Sequence, residues 1–125
     1  MIDPVALLKE YHAALNAFDL EKVDSMFADD ATYISPGLNG ALKGRGVIMN
    51  AMRHYFSEFE NQVSTDVEII KLDDTAAQAR WHLVATSTKT GQQIKRHGLE
   101  AIHFDSNGLI VLVEVQDQPI LNAAT

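Results

Sequence analysis

The chain has 125 residues, 46% of them hydrophobic and 22% charged, with seventeen acidic against ten basic side chains and no cysteine. That is one domain of ordinary globular composition, which excludes disordered and collagen-like classes. It also excludes disulfide frameworks and thiolate chemistry, and the net charge of −7 makes nucleic acid and anionic membrane surfaces poor partners.

Asp3-Pro4 predicts a helix start, with Asp as cap and Pro in the first turn. Val5, Leu8, Leu15 and Phe18, with Leu7, Tyr11 and Ala14 beside them, then repeat at helical spacing. Asp19 caps a second, short helix through Leu20, Val23 and Phe27 that ends near Asp29-Asp30. Ala31–Ser35 is strand-like and stops at Pro36-Gly37. The glycine-rich stretch from Pro36 to Gly46 predicts a loop, and Val47–Phe59 a third helix. Four strands follow: Val63–Leu72, Ala76–Thr88, Gln93–Phe104 and Leu109–Val115. The short turns between them, Asp105-Ser106-Asn107-Gly108 above all, favour an antiparallel meander. Helices and sheet are thus segregated, an α+β class. The opening Met1-Ile2-Asp3-Pro4 carries no basic segment leading into an apolar one, and no apolar run approaches about eighteen residues. The expectation is a single soluble, cytoplasmic domain over residues 1–125.

Period-two alternation splits each strand into an inner and an outer set. Ala77, Ala79, Trp81, Leu83 and Ala85 form one inner set, and Leu109, Val111, Val113 and Val115 another, whose continuation turns Asp117 inward. In Gln93–Phe104 the set holding Ile94, Ile102 and Phe104 also holds Gly98 and Glu100. A carboxylate on an apolar face costs several kcal/mol unless it is neutral or hydrogen-bonded. Glu100 is therefore either a group tied down for structure or one that lines a pocket.

The segment Tyr11–Leu20, continuing through Met26-Phe27-Ala28-Asp29-Asp30-Ala31-Thr32, resembles the opening of ketosteroid isomerase and, more broadly, the SnoaL-like members of the NTF2-like superfamily. The element order agrees along essentially the whole chain. The resemblance implies a cone: three N-terminal helices on a strongly curved antiparallel sheet, enclosing a cavity suited to a small hydrophobic molecule. Tyr33, Ser35, Trp81, Val113 and Val115 would line that cavity. The isomerase pairs a helix tyrosine with an aspartic acid kept neutral by an apolar site. Tyr11 falls on the tyrosine, and Glu100 on the acid or within a residue of it. The isomerase's base, a carboxylate just before a proline, is here Ser35. A serine hydroxyl cannot take a carbon-bound proton near neutral pH without a base of its own, which argues against ordinary steroid isomerisation. Many SnoaL-like proteins carry an aspartate near the end of the last strand. Asp117 matches it, and reads either as that base or as a turn residue before Pro119.

Five histidines raise the question of a metal. His97 and His103 are six residues apart, about 20 Å along a strand at roughly 3.3 Å per residue, too far for one ion. His82 falls in an outer set, and His12 and His54 read as solvated or interfacial helix residues. Lys95-Arg96 reads as a solvated hairpin. No metal or organic cofactor is expected. The expected outward residues Arg80, His82, Lys95, His97 and His103 leave an outer sheet face suited to a two-fold homodimer. Two readings result: an acid–base isomerase, cyclase or dehydratase acting on a carbonyl-bearing or polycyclic metabolite through Tyr11, Glu100 and Asp117, or a non-catalytic ligand-binding or dimerisation module.

Overall fold

The computed structural model describes residues 2–36 and 40–117. Helix α1 (Pro4–Asn16) starts where the sequence places it, the Asp3 carboxylate accepting from the Ala6 N–H at 3.1 Å. It ends two residues early in a Schellman turn, with Asp19 N–H on Ala14 O and Phe18 N–H on Leu15 O. The left-handed position of that turn holds Phe18 (φ 56) rather than glycine, a strained choice for a bulky residue. Its ring packs edge-on against Phe56, 5.3 Å between centroids.

Helix α2 spans Leu20–Met26, and Asp19 caps it through the Lys22 N–H at 3.2 Å. The predicted continuation to Asp29-Asp30 is not helical. Strand β1 (Phe27–Ser35) begins at once, because Phe27 pairs with Ile110 and is fully buried. Leu20, Val23 and Phe27 fit a helix by spacing, and tertiary pairing overrides that local signal. The predicted loop from Pro36 to Gly46 contains strand β2 (Gly40–Lys43), antiparallel to residues 32–35 of β1. Its glycine content hid the short Ala41-Leu42 run. Helix α3 (Arg45–Glu58) follows, then β3 (Phe59–Asp73), β4 (Ala76–Ser87), β5 (Gln93–Phe104) and β6 (Ile110–Asp117).

The strands form one sheet in the order β2-β1-β6-β5-β4-β3, open at both edges. The meander β3 to β6 is antiparallel as expected, but β1 runs parallel to β6, so the sheet is mixed. Hairpin signals are local and carry no information about two strands separated by the rest of the chain. The inner set of β6 also differs. A bulge between the Phe104↔Ile110 and His103↔Leu112 pairs shifts the phase. Ile110 and Val113 become the buried pair, and Leu109 and Val111 are left half-buried.

Helix α1 lies on β3, β4 and β5, while α3 covers β1 and β2. Leu8, Tyr11, Phe27, Ile48, Met49, Ile102, Ile110 and Val113 form the dry core between them. Each such side chain contributes about 1.5–3 kcal/mol by leaving water. Gly98 sits where β5 meets β6 and no side chain is tolerated: a Cβ there would lie 1.9 Å from Gln116 O and 3.0 Å from the Trp81 ring. The close approach seats Trp81, 7% exposed, against the backbone of β5. Among the described residues, no helix is long and apolar enough to cross a membrane.

Candidate active site

Between α1, α3 and the sheet lies a cavity of about 180 Å³. Leu15, Leu42, Ile48, Met52, Phe56 and Leu83 give it apolar walls, and His12, Gln62, Arg96 and Glu100 add polar and charged groups. Glu100 is 6% exposed and His12 8% exposed, so neither can rely on bulk water for its charge.

They rely on each other. His12 projects from α1 between two strands, its Nε2–H donating to Glu100 Oε1 on β5. On the other side, Nδ1–H donates to both oxygens of Asp66 on β3 at 2.8 Å each. Burial pulls the imidazole pKa down, but the Glu100 charge, the hydrogen bonds to Asp66 and Glu100, and the Asp66 charge outweigh it and raise the value to about 10. At neutral pH the side chain is an imidazolium held between two carboxylates. Both ring nitrogens are committed as donors, leaving no lone pair for an ion, and among the described residues no cluster of three or more His, Asp or Glu is arranged to hold a metal.

Strand β3 supplies this site by inverting the usual pattern. Its polar residues Gln62, Ser64 and Asp66 turn inward, while Val63 and Val67 are 58% and 60% exposed. A bulge sets the phase: Asn61, in the left-handed region (φ 54), and Gln62 together oppose the one residue between Thr86 and Val84 of β4. Asn16 at the end of α1 then clamps β3 in place. Its Nδ2 donates to Ser64 O at 2.8 Å, and its Oδ1 accepts from Ser64 N–H at 2.9 Å.

The SnoaL-like domain family matches this chain over residues 8–113. The chain belongs to that family. SnoaL-like proteins fall in the NTF2-like superfamily, and solved structures agree with the α+β cone. A proposed polyketide cyclase from Pseudomonas putida KT2440 superposes with a TM-score of 0.83 at 16% identity, covering 98% of this chain and 95% of that one. An NTF2-like protein of unknown function from Burkholderia pseudomallei K96243 gives 0.81 at 19% identity, with 94% and 92% covered. The epoxide hydrolase/cyclase-like enzyme SalBIII, of pyran ring formation in the polyether salinomycin, gives 0.80 at 15% identity, with 90% and 88% covered. At these identities the likeness carries the fold and not the chemistry. No curated protein matches the chain.

In this SnoaL-like fold the residues singled out by sequence part company. Tyr33, Ser35, Trp81, Val115 and Glu100 stand on the cavity wall. Val113 is fully buried in the core instead. Tyr11, also fully buried, packs edge-on against Phe27, and its hydroxyl has no hydrogen-bond partner among the described residues. Burial, with Tyr33 and Glu100 nearby, raises its pKa well above that of a free phenol. Asp117 ends β6 opposite Gly98, and its side chain lies outside the described residues. Glu100 is inward as expected, and its hydrogen-bond partner is the His12 ring. His12, read from sequence as a solvated or interfacial helix residue, is buried, and sequence reasoning did not place it in the site. It follows Leu8 by four and precedes Leu15 by three, the spacing of a buried stripe. Arg96, read as part of a solvated hairpin, lines the cavity because it shares the inner phase of Gly98 and Glu100. His54 is the solvated helix residue expected, 3.0 Å from Glu58.

Proposed function

We propose that this SnoaL-like protein is an acid–base enzyme in which Glu100, oriented by the His12 imidazolium, moves a proton on a small oxygen-bearing ring compound. The reading is carried by one observation, a buried carboxylate on a cavity wall hydrogen-bonded to a histidine that stays protonated to about pH 10. One oxygen of Glu100 is steadied by His12 while the carboxylate borders the cavity. The chemistry would start by breaking a C–H bond next to a carbonyl: the proton goes to Glu100 and the electron pair to the enolate oxygen. Return of the proton to another carbon gives isomerisation. Attack of the enolate carbon on a second carbonyl gives cyclisation: a C–C bond forms, the C=O π bond breaks, and the resulting alkoxide takes the proton back from Glu100. Donors for the enolate oxygen are the Tyr33 and Ser35 hydroxyls and the Arg96 guanidinium. Tyr11, off the wall, keeps a neutral phenol near Glu100. Asp117 remains the family-position alternative for the base. The cavity of about 180 Å³ is a little larger than the hollow of about 150 Å³ that takes a benzene ring. A compound of one or two rings fits that volume.

Proton exchange tests this directly. The wild-type protein is expected to speed hydrogen–deuterium exchange at the α-carbon of 2-tetralone, read by NMR in D2O. Glu100→Gln is expected to lose about 10²–10⁴-fold, the usual contribution of a positioned base. Exchange no faster than in buffer overturns the reading. The non-catalytic alternative is favoured by the serine at the family's base position, and 2-tetralone binding without exchange would select it.

We also propose a homodimer through the outer sheet face, where Val63, Ile70 and Leu72 are exposed apolar residues beside the exposed polar row of Arg80, His82 and Lys95. Light scattering at low micromolar concentration is expected to give twice 13.8 kDa, reduced to one chain in Ile70→Glu. A single-chain mass for the wild type rejects it.

A further inference from the structure

Gln62 is 7% exposed, stands on the cavity wall, and its Oε1 has no hydrogen-bond partner among the described residues. A buried amide oxygen left unmatched weakens the fold and is rarely retained without a reason. Its position is also built: the Asn61 bulge turns Gln62 inward, and the clamp of Asn16 on Ser64 fixes the strand beside it. Gln62 lies four residues from Asp66, about 13 Å along β3 at roughly 3.3 Å per residue. By register Asp66 stands at Trp81 of β4 and Glu100 at Ala79, whereas Gln62 stands near Ala85. By that register the amide is on the cavity wall at the end away from the His12–Glu100 pair.

We infer that Gln62 is a specificity-determining residue that accepts a hydrogen bond from a hydroxyl on the substrate's distal ring, at the end remote from the reacting carbonyl. This rests on the proposed reading of the cavity and adds a substrate requirement to it. An apolar compound of the same size would leave the amide unmatched, whereas a hydroxyl completes it. That asymmetry is how buried polar groups discriminate.

Calorimetric titration of 2-tetralone and its 5-, 6- and 7-hydroxy derivatives tests the inference. At least one hydroxy compound is expected to bind wild type about tenfold tighter than 2-tetralone, as one matched neutral hydrogen bond allows. In Gln62→Met, of similar size and without the amide, the preference should shrink to about twofold or less. Gln62→Met should also melt at or above the wild-type temperature, because an unmatched acceptor has been removed. Three hydroxy compounds no tighter than 2-tetralone, a preference surviving in Gln62→Met, or a Gln62→Met protein that melts several degrees lower or fails to fold would overturn the inference, the last two by making the amide structural. If 2-tetralone binds and exchanges without such a preference, only the Gln62 inference falls. If none of the four compounds binds, the reading of the cavity falls with it.

Discussion

Replacing His12 with leucine is expected to destabilise the fold by about 3–5 kcal/mol at pH 7, the range for removing one partner of a buried ion pair. The loss leaves two carboxylates, Glu100 and Asp66, with side chains 8% and 17% exposed and without the donor they share. The missing attraction is the smaller part of the effect. Most of it is the cost of holding unpaired charge away from water. Urea unfolding should therefore show a lower midpoint with little change in slope. Replacing Glu100 with leucine in the same protein should restore part of the loss, since apolar substitution of a whole buried ion pair is often neutral. A His12→Leu protein within about 1 kcal/mol of wild type would mean that the cluster is solvated and contributes as little as a surface pair.

The second large effect is on the pH dependence of stability. Folded His12 keeps its proton to about pH 10, whereas the unfolded side chain releases it near 6.5. Between those values the folded chain binds more protons than the unfolded one, so stability falls as pH rises. The stabilisation is complete below about pH 6.5 and is drained by about pH 10. Inside the window the slope reaches at most about 1.4 kcal/mol per pH unit. Urea midpoints at pH 7, 8 and 9 should decline for the wild type and stay level for His12→Leu. Two slowly exchanging ring N–H protons on His12 at pH 8, seen by NMR, would report the same state. A wild-type midpoint unchanged from pH 7 to 9 excludes it.

How far the sequence revealed these features depended on whether a feature was local. The Asp3 cap, the alternation of Ala77, Ala79, Trp81, Leu83 and Ala85, and the turn at Asp105–Gly108 are written within a few residues of each other, and the structure agrees with them. The parallel pairing of β1 with β6 and the His12–Glu100 contact join residues far apart in the chain, 88 positions in the second case. Nothing local encodes them. Glu100 showed itself because an apolar strand phase made it an exception. Asp66 and Gln62 stayed hidden because Val63 and Val67 beside them face outward, so no apolar phase marked the inner side of this part of β3. Conflict between pattern and burial gathers where a site needs polar groups inside.

The bond pair from Asn16 to Ser64 has one more consequence. Strand β3 is the long outer strand of an open sheet, with Val63, Val67, Ile70 and Leu72 exposed along it. Such a rim offers unpaired backbone groups on which a stray strand from another molecule can add and seed aggregates. The amide of Asn16 occupies both backbone groups of Ser64, as a neighbouring strand would, and so interrupts the template midway. The side chain that anchors the helix beside the cavity thereby also closes part of the sheet's open rim.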